Sequence, residues 1–527
     1  VTGLPWNSTF ADAVKQIRVG ESSRSQVGSI DRERVSTDVA AEGICVEIAF
    51  ILANAGHAAG QMQTRWPVKW RHAAHGVPRT ACLFDPDTAA WPLAPRAFFI
   101  RPASVRADCP ITSTEDRTMT ANTVRLLVTL MAGIGLAGGA QAQKAEVIHW
   151  WTSGGESAAI KVFAEAYNKA GGTWVDSAVA GGDAARASAL SRIAGGNPPT
   201  AAQFNISKQY FDAIEAGLLN NIDAVAAKEG WEKMLPAPLL KLVKVKGHYY
   251  AVPVSIYNPV WFWYSKPALA KAGATEPKTI DEFFVALDKL KAAGLVPLAL
   301  GGQSWQEALT FDAMLLHTGG KDLYLKFNEG RDPAVIASPA FRKVLTDFKR
   351  LKAYTDAGSP NRNWNDATAM VITSKAGFQI MGDWAKGEFV AAKQTAGKDF
   401  GCFAGFGPNA PYMIGGDVFV FPKTRDATTI AAQLKLATVM TSPAAQVAFN
   451  NLKGSIPMRT DVDVSGLDTC AQAGVAALKK PARLVPSSEA LMDPDMNGRV
   501  GDIISKFWNT NQSVDDVVKL LQRAVKD

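Results

Sequence analysis

An α/β fold of two lobes, hinged like a clamshell, is what residues 143–527 of this 527-residue chain predict. Three observations carry it. Strand-like and helix-like segments alternate from Ala145 to Leu219. A long aromatic stretch, Gly247–Lys266, then interrupts that rhythm. A second alternating section follows, and a Gly/Pro/Asn-rich connection, Gly405–Met413, leads back. Such alternation builds an open sheet whose ligands gather at the carboxyl ends of its strands. Two sections joined by more than one crossing predict lobes that close on a cleft by a hinge.

The elements follow in order. AEVIHWW (Ala145–Trp151) alternates and ends in a glycine turn, which predicts a first strand. Glu156–Gly172 has apolar residues at helical spacing and a Gly-Gly stop. TWVDSAVAG, ARASALSRIAGGNPP, TAAQFN and KQYFDAIEAGLL then predict strand, helix, buried strand and helix. GHYYAVPVSIYNPVWFWYSK is too long for one strand of a small sheet and reads as a crossover. Beyond it come a helix from Ile280, a strand from Leu295, helices to about Ala357, and a strand, turn and helix start over Lys375–Phe389. GGDVFVFPK resumes a strand, Thr429–Asn451 is helical, and two amphipathic helices end the chain. The expected first lobe is 143–254 with 409–452, and the second is 255–408 with 453–527.

Residues 1–118 have a different texture. They hold 11 Arg but only 2 Lys, three of the five cysteines, and no sustained apolar period. A disordered or artefactual extension is the expectation there. From Met119, Arg125 precedes an apolar run of about 14 residues and then Ala140-Gln141-Ala142. That pattern predicts a secretory signal peptide over 119–142 and a periplasmic mature chain. The run is shorter than the roughly 20 residues of a membrane span. Residues 144–527 carry 31 Lys and 11 Arg against 37 acids. Without a basic stripe, that balance excludes a nucleic-acid binder. Cys402 and Cys470 are left for an oxidising compartment, where they are either a disulfide or two buried thiols.

No catalytic constellation emerges. Only His149, His248 and His317 follow the signal, with no HExxH, GxSxG or Walker loop. DPDMNG (Asp493–Gly498) opens like a calcium loop, but its twelfth position is Ile504 rather than a bidentate acid. No metal, cofactor or catalytic residue is expected, although composition alone does not exclude a pair of glycosidase carboxylates. Aromatic residues beside polar ones in loops stand out instead: Trp150 and Trp151 before Gly154-Gly155-Glu156, Trp305, Trp364, Asp383-Trp384, and Asp417 after two glycines. Each tryptophan alone fits a core. As a set they suit a sugar, whose C–H faces stack on rings and whose hydroxyls need convergent acids and amides. Glu156 reads either as a first-turn acid or as a hydroxyl acceptor. Gln203 and Asn205 read as turn residues or ligand amides, and Lys208 as a solvated residue. The glycine turn at 154–155 would let backbone approach a ligand.

WWTSGGE, GGNPPTAAQF, HYYAVPVSIYNPVWFWYSK, RNWNDATAMVITSKAGFQIMGDWAKGEF and NLKGSIPMRTDVD together resemble the glucose/mannose-type solute-binding proteins of bacterial ABC sugar importers. The resemblance covers 143–527 and none of 1–118. It implies a periplasmic-binding-protein clamshell of type II-like form, a monomer that closes on one sugar and docks on a membrane permease. It implies sugar contacts from Trp150, Trp151, Glu156, Gln203, Asn205, Trp364, Trp384 and Asp417, with Asp383 and Lys453 as neighbours. Relatives carry a histidine near VPSSEALM, where this chain has Ser488, Glu489 and Ala490, and some carry a basic residue at Asn205. The resemblance therefore implies a mono- or small oligosaccharide without fixing glucose. A secreted carbohydrate-active enzyme and a sugar-sensing module are the other readings of the same pattern.

Overall fold

The computed structural model describes residues 143–526. The extension expected at 1–118 and the signal peptide expected at 119–142 lie outside them.

Two sheets organise the described chain. The first contains β1 (Gln143–His149), β2 (Gly172–Ala178), β3 (Ala201–Asn205), β6 (Ala251–Tyr257), β11 (Tyr412–Val420) and β12 (Leu484–Pro486). Its order is β12-β11-β3-β1-β2, and β6 also pairs with β11. β1 runs parallel to β2 and β3, whereas β11 is antiparallel to β3 and β6. The second sheet has the order β10-β7-β9-β8, built from β7 (Trp261–Ser265), β8 (Val296–Leu298), β9 (Ala376–Met381) and β10 (Phe400–Phe403). A short hairpin pairs β4 (Lys244–Val245) with β5 (His248–Tyr249).

Each sheet has its own core. Trp151, Phe163, Phe204, Phe419 and Phe449 belong to the first. Phe262, Phe283, Phe311, Phe348 and Trp508 belong to the second. The sequence WFWY in β7 explains how the two meet. Side chains alternate across a strand, so Trp261 and Trp263 feed the first core while Phe262 and Tyr264 feed the second. β11 does the same, with Tyr412 and Ile414 on one side and Met413 on the other. Cys402 on β10 is disulfide-bonded to Cys470, with their Cα atoms 6.0 Å apart.

Local structure departs from the sequence reading in four places. β1 stops at His149 rather than Trp151, because the next amides bond to side chains: Trp150 N to Gln203 Oε1 and Trp151 N to His149 Nδ1. The first helix, α1 (Gly154–Lys169), starts two residues early because Ser153 caps it and accepts from Glu156 N. The expected crossover, Gly247–Lys266, does pass from the first sheet to the second, but as three strands, β5, β6 and β7, with the turn at Asn258–Val260. The helix expected over Thr429–Asn451 breaks at Ser442, where Pro443 starts a new one ending at Lys453.

Candidate functional site

The site grows from the carboxyl ends of β1 and β3 and from β11 and β6 beside them. His149, 1% exposed, lies with Nε2 2.8 Å from Asp176 Oδ1. Its Nδ1 accepts from Trp151 N at 3.3 Å. The neutral ring with its proton on Nε2 satisfies both contacts, and burial lowers its pKa in the same direction. The imidazole therefore shapes the turn that carries both tryptophans. Trp151 is 1% exposed, 5.7 Å from Phe419 and 5.1 Å from Phe449 between ring centroids. Its place is against the first core, and its Nε1 has no partner among the described residues.

Glu156 lies in the first turn of α1, 6% exposed. Its Oε2 accepts from Ser153 Oγ at 3.1 Å, and its Oε1 lies 3.4 Å from Lys453 Nζ. Lys453, 2% exposed, ends the Pro443–Lys453 helix, which Gly454 closes in the left-handed region at φ 96°. Its ammonium lies 5.5 Å from the centroid of the Trp151 ring and 5.4 Å from that of Trp384. Those distances are within cation–π range. Burial pushes the Glu156 carboxyl up, and Lys453 opposes it.

Asp417 is 3% exposed at the centre of three strands. Its Oδ2 accepts from Ser255 Oγ on β6 at 2.8 Å, and its Oδ1 from Gln203 Nε2 on β3 at 3.3 Å. Gln203 Oε1 in turn accepts from Trp150 N at 3.1 Å. Burial raises the Asp417 pKa, again against Lys453. Trp384 opens helix α2 (Trp384–Ala391), edge-on to Tyr257 at 5.4 Å.

A second group of contacts surrounds Asn205. Its Nδ2 donates to the Tyr257 hydroxyl at 2.8 Å, and its Oδ1 accepts from Arg186 Nη1 at 3.0 Å. The Arg186 guanidinium lies 5.3 Å from the Trp150 ring centroid and is ion-paired with Asp183. Lys208, expected to be solvated, donates to Leu491 O at 3.0 Å.

The expected residues thus divide. Trp151, Glu156, Trp384 and Lys453 meet around one ammonium, and Trp150, Gln203 and Asp417 form a hydrogen-bonded chain beside it. Asp383 is engaged elsewhere. It is 3% exposed, its Oδ1 accepts from Asn258 N at 3.1 Å, and it holds the turn between β6 and β7. Trp364 starts its own helix, half-buried against the first core, and its carbonyl accepts from Gln379. Its indole makes no ring or polar contact with the others among the described residues. The glycine turn also has a neighbour the sequence did not reveal. A Cβ on Gly155 would lie 2.5 Å from the Gly387 carbonyl carbon, and Gly155 N donates to Glu388 Oε1 at 2.8 Å. Close passage of α2, rather than of a ligand, requires glycine at 155.

Arg186, Ser255 and Tyr257 escaped the sequence reading, and Glu489 entered it only as a departure from a motif. Arg186 had one available signal, a charge on a helix otherwise rich in small residues directly after a Gly-Gly turn. Ser255 and Tyr257 were hidden because strand alternation in an aromatic run looks like core. Among the described residues no group of three His, Cys, Asp or Glu could hold a metal. Two ring faces, an ammonium and several buried acceptors match the surface of a polyhydroxylated ring better than a charge-transfer centre.

Comparison with known proteins agrees. Residues 151–447 match the family model of bacterial extracellular solute-binding proteins. A probable sugar-binding periplasmic protein of Brucella melitensis is 40% identical over 405 residues, covering 75% of this chain and 96% of that one. One of the same description from Rhizobium meliloti is 42% identical over 339 residues, 64% of this chain and 81% of that one. Among solved structures, a chitin oligosaccharide binding protein superposes with a TM-score of 0.63 at 20% identity, covering 73% of this chain and 98% of that one. Maltose-bound MalE3 of T. maritima does so at 0.61 and 19%, covering 73% and 99%. At such identities the likeness is one of fold, the two-lobed clamshell.

Proposed function

The chain belongs to the bacterial extracellular solute-binding proteins, and from that premise we propose how its site takes a sugar. It is the periplasmic sugar-binding subunit of an ABC importer, handing its ligand to a membrane permease. Our reading is that it works as a monomer, without catalysis, and reaches the periplasm through the segment at 119–142. The ligand is a mono- or small oligosaccharide held between the lobes. Trp384, with Trp151 behind it, supplies the apolar face. Glu156, Asp417 and Gln203 accept from or donate to ring hydroxyls, and Lys453 donates. Asn205 and Trp150 contact the ligand from the side of β3. Trp364 and Asp383 act at a remove, through the second lobe and the hinge turn.

The single observation that carries this reading is the Lys453 ammonium, which touches Glu156 and two indoles from three separate elements. Burying a lysine costs too much to arise without a role. Closure then follows from differential affinity: the ligand binds the closed form better and shifts the population toward it.

A thermal-shift panel of mono- and disaccharides tests the reading. A ligand at a hundred times its Kd stabilises by about 2.7 kcal/mol. At least one sugar is expected to raise the melting temperature, and Trp384→Ala to abolish the shift while the protein stays folded. A panel in which amino acids shift it and sugars do not would refute the assignment.

A further inference from the structure

A stacking ring is only as well placed as the helix that carries it, and Trp384 opens α2. The residues that follow it set where α2 lies. Gly387 permits a close passage: a Cβ there would lie 2.8 Å from Leu452 O and 3.0 Å from Lys453 O. Glu388 Oε1 accepts from Gly155 N at 2.8 Å. These contacts join α2 to α1 and to the Pro443–Lys453 helix.

Two further contacts hold α2 from another part of the chain. Phe389 stacks on Phe400 of β10, with ring centroids 4.2 Å apart. Lys386 is fully buried, and its Nζ lies 2.9 Å from Asp468 Oδ2, an ion pair without the alignment of a hydrogen bond. Among the described residues it pairs with no other acid. Stranding a buried ammonium is costly, so α2 must follow Asp468. Asp468 itself is partly exposed and takes its place from the helix Thr469–Leu478, which it caps. Its Oδ1 accepts from Cys470 N at 2.9 Å and from Ala471 N at 3.0 Å. Cys470 is bridged to Cys402 on β10, which pins the start of that helix. Asp468 stands two positions before Cys470, and Lys386 two positions after Trp384.

Resting on the sugar-binding reading above, we propose that Lys386 and Asp468 are positioning residues for Trp384, and that the Cys402–Cys470 bridge governs sugar affinity through them. The closed bridge fixes the helix start, and with it Asp468, Lys386 and the ring in turn. A ring held in this way loses little to ordering when the ligand arrives. Reduction by a dithiol delivers two electrons and two protons to the bridge, leaving two thiols on this chain and a disulfide on the reductant. The helix start is then tied to β10 by packing alone, and affinity falls. Thiols stay reduced in the cytosol and pair in the periplasm, so a chain coupled in this way reaches full affinity only after export.

Isothermal titration of the oxidised and the dithiol-reduced protein tests this, with glucose, galactose, mannose, xylose and maltose as probes. The temperature is one at which circular dichroism shows both forms folded. Reduction is expected to raise the Kd of the sugar that binds by about fivefold or more. Cys402→Ser combined with Cys470→Ser should reproduce that loss. Asp468→Asn keeps an acceptor for the cap and removes the charge that meets Lys386. In that variant affinity is expected to be weak in both redox states, while reduction lowers the melting temperature as much as in the wild type. A bridge that only stabilised the fold would not give that split. Equal affinity of the oxidised and reduced wild type overturns the proposal and leaves sugar binding intact. A full loss of affinity on reducing Asp468→Asn overturns the route through Lys386. The wild-type comparison decides whether the bridge governs affinity even if the variant fails to fold, and Lys386→Met then replaces it. If none of the five sugars binds the oxidised protein, the sugar-binding reading falls, and this proposal with it.

Discussion

The base of the cleft and its rim are built on opposite electrostatic terms. At the base, Lys453 and Glu156 are almost fully buried, paired with each other, and walled by Trp151 and Trp384. At the rim, Arg186 bridges Asp183, Asn205 and Trp150, while Glu489 has no donor among the described residues. The base is complete before any ligand arrives, and it joins α1, α2 and the Pro443–Lys453 helix. The rim is held in place but unfinished. The difference teaches that, on the sugar-binding reading proposed above, fold and affinity share residues at the base, whereas the rim can be altered at little cost to stability.

The strongest way to break this division is at Lys453. Lys453→Met keeps the volume and removes the charge, leaving Glu156 alone in a buried site. Removing one partner of a buried pair costs roughly 3–5 kcal/mol. Chemical denaturation should show a loss of that order. A loss below about 1 kcal/mol would mean that the base is no more structural than a surface pair.

A smaller effect is expected from pH. Burial pushes the Asp383 carboxyl up to about 8 from an ordinary value near 3.8, against Lys386, Lys453 and the Asn258 amide. Asp312 is raised to about 7. An acid with a raised folded pKa binds its proton more tightly in the folded state. Its contribution is therefore present at low pH and lost as pH rises through that window. The melting temperature should fall between about pH 5 and pH 8, and Asp383→Asn, which keeps the acceptor for Asn258 N, should flatten the fall. An unchanged slope in the variant would assign the pH dependence to Asp312 and the site acids instead.

What the sequence revealed of these two regions follows from range. The β-α-β rhythm of Gln143–Asn205 is local, and periodicity exposes it. Glu156 and the tryptophans were legible because their residue types are unusual beside glycine turns. Lys453 was reached only through the resemblance, since its meaning depends on α1, nearly three hundred positions earlier in the chain. Gly155 looked like a ligand-facing glycine because the crossing of α2 is set by packing between distant elements. Glu489 was noticed only as a departure from a motif. Its lack of partners among the described residues is a property of space, invisible in a string of letters. Conversely, Asp383 beside Trp384 looked like a ligand pair, yet the strand–turn geometry turns that carboxylate to the hinge backbone.

The gentlest probe is Arg186→Gln, which removes the rim's cation and keeps a donor for Asn205. The lost cation–π contact and ion pair with exposed Asp183 are worth about 0.5–1 kcal/mol, so denaturation should show a loss within that range. Sugar affinity should respond as well. Without the guanidinium over its ring, Trp150 is less firmly held, and sugar affinity should fall a few-fold in titration. If instead the protein loses several kcal/mol, comparable with Lys453→Met, the rim is as structural as the base and the division between them fails. If stability holds and affinity is unchanged, Arg186 belongs to the surface rather than to the sugar site.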